Sequence, residues 1–393
     1  MKRTLMITCS VLLALALVMP VFAGGGGQQQ SAGVDVVKIG IFQALSGSNG
    51  ANGKMQNGGV EYAHSETPTV VIGGKTHKVE FVFADNQSST AIAPSAAQTL
   101  VSAGVSIVIG SIGSGVSIAA SDTFGDARIA YIGNTNTNPQ VTMGNDHMFR
   151  LVYLDPFQGT VLAGLAKERF NARKAYVLAR QGDDYSVGLA NYFMESFGRN
   201  NCVYEVFPEG TSDFSSYVAT AKANGVDVFM SPTSSEAAAL IIDQAHSQAL
   251  GVPILAGDTW DVNVILNAAK GKNVRIFVTT FYQEGGTPEF DAGFKKWLNA
   301  NPTALANNGG NDMISAASAV AYDGYYVVLE ALKKAGSTDP KLVLEALRSV
   351  KINGVTGPIA FDEIGDAIRD TAYVKSCNTA TGTWDFVTVQ RAN

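Results

Sequence analysis

Histidine and cysteine are almost missing from this chain of 393 residues, and their scarcity closes several routes to chemistry. The four histidines, at 64, 77, 147 and 246, show none of the spacings by which imidazoles converge on a metal. Cys9 lies in an N-terminal apolar run, leaving Cys202 and Cys377, two residues that cannot build a metal site alone. An oxidising compartment would permit a disulfide between them. Charge is scarce too. Only 16% of residues are charged, with 28 basic against 34 acidic and a net charge of −6, so the basic footprint of a nucleic-acid binder is absent. Past the N-terminus no apolar run reaches membrane-spanning length, and no repeat of solenoid period is found. There is no G-x-S-x-G elbow. The run Gly110-Ser111-Ile112-Gly113-Ser114-Gly115 lacks both the lysine of a phosphate-binding P-loop and the dinucleotide spacing. No nucleophile, base and orienting residue stand together. Binding groups are present without a catalytic set, which argues against an enzyme and for neither cofactor nor metal.

What the chain does have is apolar residues, 46% of the total, enough for the cores of two or three domains or two lobes. The N-terminus reads as a secretory signal over residues 1–23. Lys2 and Arg3 precede the apolar run Ile7–Val18, and Val21-Phe22-Ala23 fits a cleavage site. Cys9 has no lipobox around it. A Gly/Gln linker follows over residues 24–33, with nothing in it to pack. The expected product is exported, soluble and cleaved after Ala23.

The most informative stretch runs from Ser106 to Pro139. Val105–Ile109 and Ile129–Ile132 are short apolar runs of the kind found in buried strands. Each empties into small hydroxyl and amide residues: Gly110 to Gly115 in one case, Gly133-Asn134-Thr135-Asn136-Thr137-Asn138-Pro139 in the other. Ligands of parallel α/β sheets sit at the carboxyl ends of strands. A helix starting near Ser114 would aim free N–H groups there, which suits a carboxylate or phosphate. A plain strand-turn-helix, with glycine for the turn and Ser114 as cap, accounts for the same residues.

Around this stretch the pattern is β-α-β-α-β-α-β from Val36 to Leu154, followed by a second series of strands and helices from Pro156 to Thr279. Helices are expected over Thr287–Asn299, Met313–Ala335 and Pro340–Val350. Gly354–Phe361 is extended, and a hairpin turns at Thr379–Gly382. The loop Arg180–Tyr185 contains Asp183-Asp184, which read as exposed loop acids rather than a metal pair.

These residues carry a resemblance over most of the chain, from about Val36 to Val389. Ile39-Gly40-Ile41 leads to Leu45-Ser46-Gly47, Asp85-Asn86 follows a strand, and Val108-Ile109-Gly110 leads to Ser114. Ile132 leads to Thr137-Asn138-Pro139, and Tyr185 precedes Gly188. Gly257-Asp258-Thr259-Trp260-Asp261, Ala321-Tyr322-Asp323, Gly357-Pro358, Phe361-Asp362 and Gly365-Asp366 complete the set. Together they resemble the amino-acid (leucine/isoleucine/valine)-binding branch of the type I periplasmic binding proteins, the substrate-binding components of ABC transporters. The resemblance implies two doubly wound α/β lobes joined by three hinge crossovers, at about Arg150–Tyr153, Thr279–Tyr282 and Val355–Gly357. One lobe would then comprise residues 34–152 and 281–355, the other 153–280 and 356–393, the last part a C-terminal hairpin.

The resemblance also implies roles. Ser114 and Thr137, with backbone N–H groups near Gly115, would hold an α-carboxylate. The backbone carbonyl of Thr135 and the carboxylate of Asp258 would hold an α-ammonium, and Tyr185 would cover the ligand. Helix capping for Asp258 and simple packing for Tyr185 remain the alternatives, and Trp260 and Phe281 are expected in the core. The partners implied are a small-molecule ligand and a membrane permease, with no nucleic acid and a monomeric, periplasmic protein. A sensor on the same fold, binding amides, urea-like compounds or aromatic acids, is the alternative function. Two departures stand out. Ser88 and Gly113 occupy the positions of a disulfide found in the branched-chain binders, and Ser231-Pro232-Thr233-Ser234-Ser235 is polar where an aromatic wall is expected.

Overall fold

The computed structural model describes residues 35–391; the signal peptide and linker expected over residues 1–33 lie outside them. Two sheets organise the chain. The first contains β1 (Asp35–Gln43), β2 (Thr69–Ile72), β3 (Lys75–Asp85), β4 (Ile107–Gly110), β5 (Tyr131–Gly133) and β6 (Met148–Arg150), in the order β2-β3-β1-β4-β5-β6. All pair in parallel except β2, a short hairpin partner of β3 across Gly73-Gly74 that the sequence shows only as a turn. The helices α1 (Gly50–Glu66), α2 (Ala93–Ser102) and α3 (Ser114–Asp126) make its crossovers. Its strands are wholly buried at the centre, IVIG in β4 and YIG in β5, which is why they read as continuous apolar runs rather than alternating ones.

The chain then enters the second sheet through α4 (Asp155–Phe170). It continues as β7 (Ala175–Arg180), α5 (Asp184–Phe197), β8 (Cys202–Phe207), α6 (Ser215–Ala223), β9 (Val228–Met230), α7 (Ser235–Ser247), β10 (Ile254–Ala256), α8 (Asn263–Ala269) and β11 (Ile276–Thr280). It returns to the first lobe as α9 (Pro288–Ala300), α10 (Pro302–Asn307), α11 (Ala316–Ala335) and α12 (Pro340–Leu347), α11 lying along α1. A small antiparallel pair, β12 (Lys351–Gly354) and β13 (Gly357–Ala360), precedes β14 (Thr371–Asn378) and β15 (Thr383–Arg391). That last hairpin adds antiparallel strands to β11, completing the order β15-β14-β11-β10-β9-β7-β8. This is the two-lobed α/β fold expected. Among the described residues no helix is long and apolar enough to cross a membrane.

One expectation changes, and one open question closes. The third crossing lies later than Val355–Gly357. The Arg150 N–H donates to the Gly365 carbonyl and the Ala367 N–H to the Arg150 carbonyl, so the segment around 362–367 still pairs with β6 of the first lobe. The chain leaves only before β14, because Gly357 serves a local hairpin instead. The disulfide that the sequence left open does not form. Cys202 and Cys377 are free, on β8 and β14, five strand steps apart across the second sheet. That separation is about 24 Å at roughly 4.8 Å per strand, far beyond disulfide reach. Burial pushes the Cys202 thiol up to about 11 and the Cys377 thiol to about 12.

Candidate functional site between the lobes

Each sheet reverses its strand order once, at β1/β4 and at β7/β9, and the loops leaving the strands there face the same cleft. From the first lobe come the loops after β1, β4 and β5. From the second come those after β7, β9 and β10. Direct contacts close the gap. Asn52 Nδ2 donates to the Thr259 carbonyl at 2.7 Å, Asn138 Nδ2 to the Asp184 carbonyl at 2.8 Å, and the Glu236 N–H to the Ser48 carbonyl at 3.3 Å.

In the first lobe, Gly113 takes φ +89°, a left-handed turn that launches α3 with Ser114 as its first residue. The Ser114 hydroxyl does not cap the helix; it accepts from the Asn138 N–H at 3.3 Å, linking the two polar loops. The plain capping account is thereby set aside. Gly115 follows in the first turn. A Cβ there would stand 3.0 Å from an Asp184 carboxylate oxygen of the other lobe, so glycine permits the close approach. The Thr135 hydroxyl donates to Gln56 Oε1 at 3.1 Å. Thr137 is fully buried, and its hydroxyl has no protein partner.

The loop from Asn136 to Pro139 is held from below by Arg150, itself fully buried. Its guanidinium donates to the carbonyls of Asn136 (3.1 Å), Asn138 (2.7 Å) and Pro139 (3.2 Å), to Thr142 Oγ1 (2.5 Å) and to Asp366 Oδ1 (2.5 Å). Asn136 locks the same loop to its neighbour by donating to the Ser111 and Gly113 carbonyls. The positive charge beneath the cradle is thus spent on protein groups. What faces the cleft is neutral: hydroxyls, amides and the start of a 13-residue helix.

The second lobe supplies acid. Asp258 opens a single 3-10 turn, Asp258–Trp260, and is 7% exposed. It caps no helix. Its Oδ1 accepts from Gln158 Nε2 at 3.0 Å and from the Tyr185 hydroxyl at 3.1 Å, and burial pushes its carboxyl up to about 6 against those stabilising bonds. Tyr185 therefore does more than pack. Its hydroxyl also lies 3.3 Å from Thr259 Oγ1, and burial holds it well above the usual phenol range. Three residues on, Asp261 forms a buried ion pair with Lys375 at 3.0 Å and accepts from Thr280 Oγ1 and from the Ala316 N–H of the first lobe. This anchors the turn that carries Asp258. Trp260 and Phe281 sit in apolar clusters, as expected for core residues.

Several participants give no signal in the sequence. Gln158 orients Asp258 and also donates to Thr279 Oγ1 at 2.7 Å. Asp155, in the first turn of α4, is fully buried with both carboxylate oxygens unpartnered, and burial pushes it well above the carboxylate range. Its N–H donates to the Thr137 carbonyl at 2.9 Å, so it stands beside the loop that carries Thr137. Asp155 and Gln158 lie on one helical turn straight after the first crossover, and that placement is the only cue the sequence offers. Asp183 is no idle loop acid: it caps α5 by accepting from the Ser186 N–H at 2.7 Å and pairs with Arg180. Ser88 and Gly113 do come together around Asn49. The Asn49 N–H donates to Ser88 Oγ, and a Cβ on Gly113 would stand 3.8 Å from Asn49 Nδ2.

Comparison with known proteins gives this architecture its relatives. The chain is 30% identical over 352 residues to the Leu/Ile/Val-binding protein homolog 1 of Brucella abortus, covering 88% of this chain and 90% of that one. A leucine-binding protein from Thermotoga maritima superposes with a TM-score of 0.79 at 30% identity, over 91% of this chain and 99% of the other. The branched-chain amino acid transporter substrate-binding protein of Streptococcus pneumoniae, solved with isoleucine, gives 0.77 at 26% identity over 91% of this chain and 99% of its own. Residues 36–381 match the family model described as periplasmic binding protein, and it is to that family that this two-lobed chain belongs.

Proposed function

We propose that this protein is an exported receptor that captures an α-amino acid between its lobes and delivers it, as a monomer in the periplasm, to an ABC-type permease. One observation carries the reading: a buried carboxylate, Asp258, stands on one sheet, and a neutral cradle built on Ser114 and Thr137 stands on the other. A zwitterion needs an acceptor charge at one end and donors at the other, and here each lobe contributes one half. Binding therefore favours the closed arrangement. In this reading Ser114, Thr137 and the N–H groups around Gly115 receive the carboxylate, while Asp258 and the Thr135 carbonyl receive the ammonium. Tyr185 covers the ligand and steadies Asp258. Relatives that bind leucine, isoleucine and valine support the amino-acid class.

The test is a thermal-shift screen followed by calorimetry, comparing α-amino acids with the matching deaminated acids. Amino acids should raise the melting temperature by mass action and the deaminated acids should not. Equal binding of both would mean that no ammonium meets Asp258 and would sink the assignment. Mass spectrometry of the exported protein checks cleavage after Ala23; a retained Met1 or a lipidated cysteine overturns that part.

A further inference from the structure

The side-chain end of the ligand can be read from the polar atoms left over around Asp258. Thr259, the next residue, is stitched to two segments, and a third lies close by. Its hydroxyl donates to the Thr233 carbonyl at 2.9 Å, its carbonyl accepts from Asn52 Nδ2, and Ser48 lies against the same part of the second lobe through the Glu236 N–H. In this cluster Thr233 Oγ1, Asn52 Oδ1 and Ser48 Oγ are buried and have no protein partner. Thr233 is 1% exposed and Asn52 3%.

Their neighbours show why these atoms stand out. In the run 231–235, Ser231 Oγ is used on the Leu178 carbonyl and Ser234 caps α7, whereas the Thr233 hydroxyl is fully buried and unused. In the loop after β1, Ser46 Oγ is used on Asp85 and Asn52 Nδ2 on Thr259, which leaves the Asn52 carbonyl oxygen, an acceptor only. A buried acceptor with no donor costs more than the bond it would make is worth. A purely aliphatic ligand would leave all three in that condition. The nearby charged side chains, Lys54 and Glu236, are exposed.

We infer that the ligand's side chain is neutral and polar, carrying an O–H or N–H donor that meets Asn52 Oδ1 and a group that meets the Thr233 and Ser48 hydroxyls: a hydroxy- or carboxamide-bearing amino acid. The inference rests on the amino-acid reading of the same site. Sites built to hydrogen-bond a substrate group reject analogues lacking it far more strongly than apolar pockets reject an extra methylene.

Calorimetry on the full exported chain, with threonine, serine, asparagine and glutamine against leucine, isoleucine and valine, decides it. The best polar ligand should bind at least about tenfold tighter than leucine. Thr233→Val, nearly isosteric, should weaken it about 5- to 100-fold while leaving leucine unchanged or tighter. Thr233→Ser, which keeps the hydroxyl, should retain the preference and guards against a folding artefact. Tighter binding of leucine than of every polar amino acid, or an unchanged polar-to-aliphatic ratio in Thr233→Val, overturns the inference and leaves the receptor reading standing. If no amino acid of either set binds, the amino-acid reading itself falls and takes the inference with it.

Discussion

The two halves of the cleft are built on opposite plans. The first-lobe cradle is neutral toward the cleft and strongly tied: Arg150, Asn136 and Asn138 hold its loops by bonds to backbone carbonyls. The second-lobe half keeps carboxyls out of water, and Asp258 there leans on two neutral side chains, Gln158 and Tyr185. The difference teaches how a zwitterion can be held without a cation aimed at its carboxylate. The first lobe supplies shape, hydroxyls and a helix start; the second supplies charge. Among its buried acids, Asp258 is pushed up to about 6 by burial against the hydrogen bonds from Gln158 and Tyr185, and burial raises Asp155 well above the carboxylate range.

Breaking the first half should cost stability before anything else. Arg150→Met leaves Asp366 buried without its partner and should lower unfolding free energy by about 3–5 kcal/mol, read by urea denaturation. A variant of unchanged stability but lost affinity would mean that Arg150 reaches the ligand and that the cradle is not neutral. Breaking the second half should cost affinity instead. Asp258→Ala leaves a buried ammonium unpaired and should lose about 2–5 kcal/mol of binding, roughly 30- to 3,000-fold by calorimetry, with Asp258→Asn falling short of that loss. Wild-type affinity in Asp258→Ala would remove the charge from this side altogether. Ser114→Ala takes one neutral donor from a charged oxygen and should cost about 1.5–3 kcal/mol, with the helix N–H groups still in place.

The smallest effect is in pH. Between about 4, the usual Asp range, and 6, the folded protein holds a proton on Asp258 that the unfolded chain has released, so this group's contribution to stability falls as pH rises through that window. Ligand affinity has the opposite sign, because the ammonium needs the carboxylate. It should be flat above pH 6 and drop by up to about tenfold per unit below it. A flat titration from pH 7 to 5 would show that Asp258 stays ionised through that range despite its burial.

The architecture was legible because buried parallel strands leave unbroken apolar runs and because small polar residues crowd their carboxyl ends. Ser114, Thr137, Tyr185 and Asp258 could be singled out on those grounds and by resemblance. Gln158, Asp155 and Arg150 could not. Each is a polar residue whose task is defined by a partner far along the chain, and a local pattern carries no record of such a partner. The misplaced third crossing has the same cause: Gly357 looks like a junction locally, and only the pairing of residues near 365 with β6 shows that the chain has not yet left. The disulfide was open in the sequence because spacing holds no distance, and strand order supplied one.

The Arg150–Asp366 pair ties the cradle to time as well as to space. The two residues are 216 positions apart in the chain. At a synthesis rate of about 5–20 residues per second, roughly 10–40 seconds separate their appearance. Every first-lobe residue assigned to the ligand is made before residue 140, yet the loop carrying Thr137 gains its last anchor only when the chain is nearly complete. A polypeptide cut short at residue 360 would contain every proposed ligand contact and still lack the clamp that shapes the cradle.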